Sequence, residues 1–534
     1  MLDILIRGGW IADGTGNPRY PADVAIEGDR IVDVGRLDGA IARQEIDAQG
    51  KIVSPGFVDA HSHSDWSLFA NPTAESTIRQ GVTTEVVGNC GESFAPFTEL
   101  ARTHLTDRLA LYGYDGPITW STFGDYLDVI RQMGTSANLA WFVGHNTMRV
   151  ASGVSGATAT EDQLRAMERF VADAMDAGAL GMSTGLEYGA GREAQTPEIV
   201  RLARVVGARD GYYSSHIRNR DAHLQAAVDE FLSIAREGGT RAELSHLNVR
   251  HNTGAAEGAW QRAVDTVERE RRRGLNVLID TTPFLDGLGM MAGILPAWLL
   301  EPGPESAAQQ LRDPAVRKRL RDDCDRYWRF IHRGEWHRVR LQSSAQFPEL
   351  SGRNFLEIAE LMGQEPWDCF FDILAAAGSG LNSLIMMGRL FTEEHMAEMI
   401  SHPLFNLAVD IWSTRVDGPL SERTRHPLYF SGHITYLTHY ARDLRLLRLE
   451  DVIRKMTSMP ATHFGLRDRG LLRTGAFADV VVFDYEALSG VATDDQPLAY
   501  ARGIEHVLVN GTPVVAQSED TGARPGRNLL RSSS

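Results

Sequence analysis

The sequence predicts an α/β fold: a (β/α)8 TIM-like barrel carrying a small β-sandwich built from both chain ends, with a helical insertion. Three observations predict it. Eight short apolar runs alternate with helix-patterned stretches through the middle of the chain, the mark of repeated β-α units around a parallel sheet, and eight is the number that closes a barrel. Alternating strand-and-turn texture fills both ends, which often lie close together in a folded domain. About 125 residues separate the seventh run from the eighth, too many for a loop without structure of its own.

In chain order, Ile4-Leu-Ile-Arg, Ala22 to Glu27 and Ile31 to Val34 form short strands broken at turn residues such as Gly28-Asp-Arg. The barrel runs begin with Gly56-Phe-Val-Asp-Ala and Thr84-Glu-Val-Val-Gly. They continue through Leu139 to Val143, Gly178 to Ser183, Tyr212 to Ser215, Arg241 to Ser245 and Leu275 to Asp280, and end with Phe405 to Asp410. In the long interval Ala315 to Trp336 reads as helix, and Asn354 to Ala377 as more helix. Ala478 to Asp484 and Ile504 to Val515 return to strand texture. The expected organisation is therefore 1–54 with 466–534 as one discontinuous β domain and 55–465 as the barrel, with a helix-rich insertion at about 288–400.

The chain has 54 Lys and Arg against 70 Asp and Glu, a formal charge of −16, which disfavours a basic nucleic-acid or anionic-membrane surface. Three scattered cysteines, Cys90, Cys324 and Cys369, are no disulfide framework and point to a reducing compartment. The start, Met1-Leu-Asp-Ile-Leu-Ile-Arg7, has charges on both sides of its apolar stretch, unlike a signal peptide. Leu288 to Leu300, the longest apolar run, is too short to span a bilayer and contains Pro296. The chain reads as cytoplasmic, with small-molecule partners.

Chemistry-bearing residues fall where strands end. His61 and His63 follow the first run, Cys90 the second, His216 the fifth and His246 the sixth, and Asp410 closes the eighth. In a barrel these ends converge on one face, and alternate strand positions point the same way, so the His-x-His pair can meet one ion. Imidazole, thiolate and carboxylate together suit Zn2+. His104, His223, His251 and His439 read as ordinary surface or loop histidines. Gly181-Met-Ser-Thr-Gly185 matches a nucleophile-elbow pattern at Ser183, but no helix signal follows, so a serine hydrolase is the remote alternative.

Pro55 to Asp65, Gly81 to Gly91, Thr184-Gly-Leu-Glu-Tyr188, Ser215-His-Ile-Arg218 and Gly475 to Asp484 together resemble the amidohydrolase superfamily, within it the D-aminoacylase (N-acyl-D-amino-acid deacylase) group. The resemblance implies a zinc-dependent amidohydrolase acting on a small-molecule amide. It implies a tight zinc on Cys90, His216 and His246, and a weaker second site at His61 and His63. Asp410, at the end of the eighth strand opposite the histidines, has the position expected of a general acid/base. A metal-coordinated water has its pKa lowered from about 15.7 to about 7, and the ion polarises an amide carbonyl. The carbamylated lysine of other branches is closed to this chain, because Lys51, Lys318 and Lys455 all lie off the barrel strands.

The chain departs from the group where the group holds the substrate carboxylate. Asn248 stands for a lysine, Thr282 and Leu288 replace two further contacts, and Leu428 stands for an arginine, with Arg425 nearby as the substitute. Phe284, Trp412, Tyr429 and Phe430 add apolar or aromatic surface. A carboxylate without those partners in a closed pocket costs on the order of several kcal/mol. The expected substrate is therefore an N-acylated compound whose amine part lacks a free α-carboxylate, against the alternative of an ordinary N-acyl-D-amino acid.

Overall fold

A computed structural model describes residues 1–323 and 328–531 of the chain. Cys324 lies outside the described residues. Eight parallel strands form one sheet in chain order: Phe57–Asp59, Val82–Val87, Asn138–Gly144, Gly181–Gly185, Tyr212–His216, Arg241–Leu244, Val277–Thr281 and Phe405–Leu407. All eight predicted runs are strands. Backbone bonds just past the first and last strands complete the ring at its C-terminal rim: Asp410 N–H donates to His61 O (3.0 Å) and His63 N–H to Ile411 O (2.7 Å). Nearly every strand residue is buried, as expected of a parallel sheet covered by helices. The covering helices are amphipathic and capped. Glu161–Asp176, for example, starts at a Thr160/Gln163 capping box and buries Met167, Val171, Ala174 and Met175 against the sheet.

A second, nine-stranded sheet is drawn from both ends of the chain. Its junction is the antiparallel pairing of Ile52–Pro55 with Val480–Phe483, and its core packs Ile4, Ile6, Val24, Ile26 and Val53 with Val480, Val482 and Leu508. The last described residues leave that sheet. Leu139 N–H donates to Arg527 O, and Leu529 N–H to Leu139 O, so the tail runs beside the third barrel strand instead.

The stretch between barrel strands seven and eight differs from expectation in two ways. It contains a three-stranded antiparallel sheet of Asp286–Met290, Ile385–Arg389 and Val339–Leu341, which roofs the rim. The predicted helix at 315–336 is shorter: it runs Pro314–Asp322, and Trp328 beyond it adopts φ +55°, incompatible with a continuing helix. The stretch 354–377 is helical as expected, in two pieces, Phe355–Met362 and Pro366–Ala377. Gly363 (φ +66°) ends the first, and Pro366 starts the second where its missing N–H costs nothing.

One glycine ties the fold to the rim. Gly88 has φ +76°, and a Cβ there would sit 2.1 Å from Phe142 O of the third strand, so the chain leaves strand two through a turn that only glycine makes. That turn delivers Asn89 and Cys90. Gly88→Ala is expected to lower the thermal midpoint by several degrees, roughly the effect of a backbone strain of 1–3 kcal/mol plus a steric clash. Melting followed by circular dichroism checks it, and a variant melting with the wild type would refute this account of the turn.

Candidate metal centre and active site

The structure brings all six predicted centre residues together. Cys90 Sγ lies 3.2 Å from His61 Nε2, 3.5 Å from His246 Nε2 and 3.9 Å from His216 Nδ1. Asp410 Oδ1 lies 3.1 Å from His63 Nε2 and 3.3 Å from His61 Nε2, and Oδ2 lies 3.8 Å from His246 Nε2. Two groups of ligand atoms follow, Cys90 with His216 and His246, and Cys90 with His61, His63 and Asp410; within each, all the atoms fall within 4.8 Å of one another. A tetrahedral zinc with bonds of about 2.0–2.3 Å separates its ligands by about 3.3–3.8 Å, so the thiol and imidazole spacing fits that ion.

The residues reach the centre from beyond the strands more than from within them. His216 is the last residue of its strand, but His61 and His63 lie two and four residues past theirs, and Cys90 and Asp410 lie three past theirs. The strict alternation expected of the His-x-His pair is therefore replaced by a turn, in which Asp59 accepts from His61 N–H. Cys90 (φ +55°), His246 (φ +35°) and Asp410 (φ +61°) all hold left-handed backbone. Such strain persists only where surrounding contacts over-determine it, and it concentrates at functional sites.

Four residues without a predicted role support the centre. Asp280, at the end of strand seven, accepts from His61 Nδ1 (3.1 Å) and from His246 N–H (2.8 Å), aiming the first ring and anchoring the second. Glu187 accepts from His216 Nε2 (2.8 Å) and is itself held by Arg250 (2.5 and 2.7 Å). Carboxylates of this kind fix a ligand's tautomer and raise its basicity. Arg220 sets its guanidinium against both rings, 3.0 Å from His246 Nδ1 and 3.2 Å from His216 Nε2, and pairs with Glu187 at 3.2 Å. Tyr188 points its hydroxyl into the centre, 3.4 Å from His216 Nδ1. Glu187 and Tyr188 stood in the Thr184-Gly-Leu-Glu-Tyr188 marker; an acid and a phenol directly after a barrel strand were the available signal.

The electrostatics follow from this crowding. Burial penalises the Cys90 thiolate, but the charge of His61 and hydrogen bonds from His216, His246 and His61 outweigh it and hold the thiol well below its ordinary range. Burial likewise opposes ionisation of Asp410, and His61 and His246 overcome it, so the carboxylate stays well below its usual value. His63 is pushed up to about 9: burial lowers it, but hydrogen bonds to Asp410 and Cys90 prevail. Burial pushes the Tyr188 phenol well up, keeping it protonated.

A cavity opens over the centre. Asn248, Thr282, Leu288, Trp412 and Leu428 line it, as expected of substrate contacts. Three other predicted contacts do not. Arg425 is exposed between the buried Thr424 and His426, its charge left in water, and so does not replace the missing cation. Tyr429 is fully buried behind Trp412, ring centroids 4.8 Å apart, and Phe284 packs edge-on against His426 at the cavity's margin. Two arginines absent from the sequence reading do line it, Arg108 and Arg220. Ser183 is wholly buried, donates to Gly88 O (2.5 Å) and accepts from Gly91 N–H (3.0 Å). It braces the Cys90 turn and is closed to nucleophilic attack.

Residues 44–327 and 395–515 match the model of the amidohydrolase family. The N-acyl-D-glutamate deacylase of Alcaligenes xylosoxydans xylosoxydans is 36% identical, over 100% of this chain and 97% of that protein. A solved D-aminoacylase, described by one-metal activation and second-metal attenuation at a binuclear metal centre, superposes with TM-score 0.81 at 30% identity, over 99% of this chain and 100% of that one. The N-acyl-D-glutamate deacylase of Bordetella bronchiseptica, complexed with zinc and a phosphonate mimic of the tetrahedral intermediate, gives TM-score 0.81 at 31% identity, over 99% of each chain. With the barrel, the thiol-centred ligand set and these likenesses in agreement, the chain belongs to the amidohydrolase family, in its D-aminoacylase group.

Proposed function

We propose that this chain, a metal-dependent hydrolase of amide C–N bonds, uses one tightly held zinc on Cys90, His216 and His246 and acts on an N-acylated compound whose amine part carries no free α-carboxylate. His61 and His63, with the shared Cys90, form the weaker second position. When bound, the ion polarises the amide carbonyl and makes a water nucleophilic at neutral pH. The protein's own groups do the rest. Asp410, held ionised, accepts the proton of the attacking water and delivers it to the departing nitrogen. Tyr188, held protonated, donates to the carbonyl oxygen as negative charge develops there. His63, beside Asp410, keeps the carboxylate oriented.

The amine part then lies on the Asp410 side, and the observation that carries the substrate reading is the wall it meets. Asn248, Thr282, Leu288, Trp412 and Leu428 line the cavity there without a cation among them. Arg220, a lining arginine near Asn248, is already paired with Glu187. A second reading, an ordinary N-acyl-D-amino-acid deacylase, is favoured by the named activities of the relatives.

Cys90→Ala is expected to lose both bound zinc and activity, measured by elemental analysis beside an amide-hydrolysis assay; a metal-free yet active variant overturns the centre. Asp410→Asn should retain the tight zinc and lose at least about a hundredfold in kcat, the ordinary worth of acid–base catalysis. Near-wild-type turnover across the pH range would remove Asp410 from that role. For the substrate, a panel pairing each N-acyl-D-amino acid with its neutral amide or decarboxylated counterpart should show higher kcat/KM for the neutral member by about tenfold or more. A uniform preference for the free acids establishes the second reading instead.

A further inference from the structure

Beyond Tyr188, on the side away from Asp410, a second cavity adjoins the first, and Glu92, Arg108 and Tyr188 line both. Its wall is largely apolar, with Val150, Val154, Met290 and Leu300, but it is interrupted by buried polar side chains that are incompletely satisfied. Glu92 Oε2, His104 Nε2, Arg108 Nε, Asn146 Oδ1 and Arg149 Nε are all buried without a hydrogen-bond partner. Glu92, Asn146 and Arg149 are each more than nine-tenths buried, and His104 and Arg108 share one face of the helix Arg102–Leu111. Buried polar atoms left this way are costly, so a cluster of five marks a place where something else supplies the bonds.

The charges say what that is. Arg108 pairs with Glu92 at 3.4 Å and stacks on Trp66 at 4.4 Å, and Arg149 is neutralised by Glu198 at 2.6 and 2.7 Å. The lining carries Glu92, Glu193 and Glu301 against Arg108, Arg149 and Arg192, so a carboxylate entering the recess would meet acids and an ammonium would meet arginines. A neutral group that both donates and accepts satisfies Glu92 Oε2 and Arg108 Nε together. Glu92 follows Cys90 by two residues, at most about 7 Å of chain, so the recess is within reach of a short acyl chain whose carbonyl sits at the centre. We infer that this recess, at the juxtaposition of Glu92 and Arg108 behind Tyr188, is an acyl-group subsite selecting chains that end in a neutral donor–acceptor group, of which a carboxamide is the simplest. The assignment of this side to the acyl part rests on Asp410 serving the departing nitrogen.

The test uses three amides of one neutral amine, butylamine, with acyl chains of one shape: succinamoyl ending in a carboxamide, succinyl ending in a carboxylate, and 4-methylpentanoyl ending in an isopropyl group. Hydrolysis by the wild-type holoenzyme is measured beside binding to the Asp410→Asn holoenzyme, read by tryptophan fluorescence because Trp66 carries Arg108. The carboxamide is expected to lead both series by about tenfold or more, since a buried site made to hydrogen-bond rejects an analogue that cannot. Glu92→Gln should raise the succinyl compound relative to the succinamoyl one by about tenfold, a change of ranking that a merely structural role would not produce. Binding in which the isopropyl chain equals the carboxamide, or the carboxylate leads, overturns the subsite and leaves the recess to water. Carboxamide-led binding without turnover of any compound sustains the subsite and removes the proposed amine-side chemistry. Turnover without that order does the reverse.

Discussion

The Cys90 thiol is the constraint on which the rest of this structure depends. Its sulfur belongs to both groups of ligand atoms, with three imidazole nitrogens within 3.9 Å of it, and every member but the half-buried Asp410 is buried. A thiolate in such a place is tolerable only with positive charge around it, and imidazoles so crowded need anions behind them. The structure supplies both. Asp280 stands behind His61 and Glu187 behind His216, while Arg250 bridges Glu187 to Asp221, also buried. Burial lowers the proton affinity of His61, but the charges of Asp280, Cys90 and Asp410 raise it well above the ordinary value. The candidate ligands and the carboxylates behind them therefore form one electrostatically coupled unit.

Placing that unit is the work of the barrel rim. The ring closes through backbone bonds made by Asp410 and His63 themselves, so two residues of the candidate centre also complete the barrel. Three of the site residues adopt left-handed backbone without being glycine, and neighbouring contacts hold them there: Ser183 and Gly88 at the Cys90 turn, Asp280 at His246 N–H, and the His61 carbonyl at Asp410 N–H. Ser183 thus serves the centre as a brace, although its local sequence pattern suggested a nucleophile. The three-stranded roof from the long insertion then covers the rim with Asp286, Leu288 and Met290, narrowing a surface of polar strand ends into a cavity.

The cavity has two unlike sides. Toward Asp410 the wall is made of Trp412, Leu428, Leu288 and Thr282, backed by Tyr429 and the aromatic packing of Trp66 and Tyr112. Toward Tyr188 it opens onto Glu92, Arg108 and Asn146. An amide lying across the centre would present its two halves to chemically different surroundings, and the pairing of each arginine within its own wall keeps either side from acting as a simple anion trap.

The sequence by itself determined the eight strands, the β-rich ends and the six candidate residues that the structure brings together. Those signals are local or periodic: apolar runs of strand length, and metal-ligating side chains at or just past their ends, which any closed barrel gathers on one face. In the helix-rich insertion it missed the early end of the helix Pro314–Asp322 and the three short strands that pair across almost a hundred residues. Only the tertiary structure decided that Arg425 faces water while Arg108 and Arg220 line the cavity, that Tyr429 stands behind Trp412, and that Glu187 and Asp280 aim the imidazoles. The direction of a side chain on a loop or a covering helix depends on what packs against it, and for these residues the partners come from distant parts of the chain: Asp280 meets His61 across 219 residues. No local pattern carries that information, because it exists only once the ring of strands has closed.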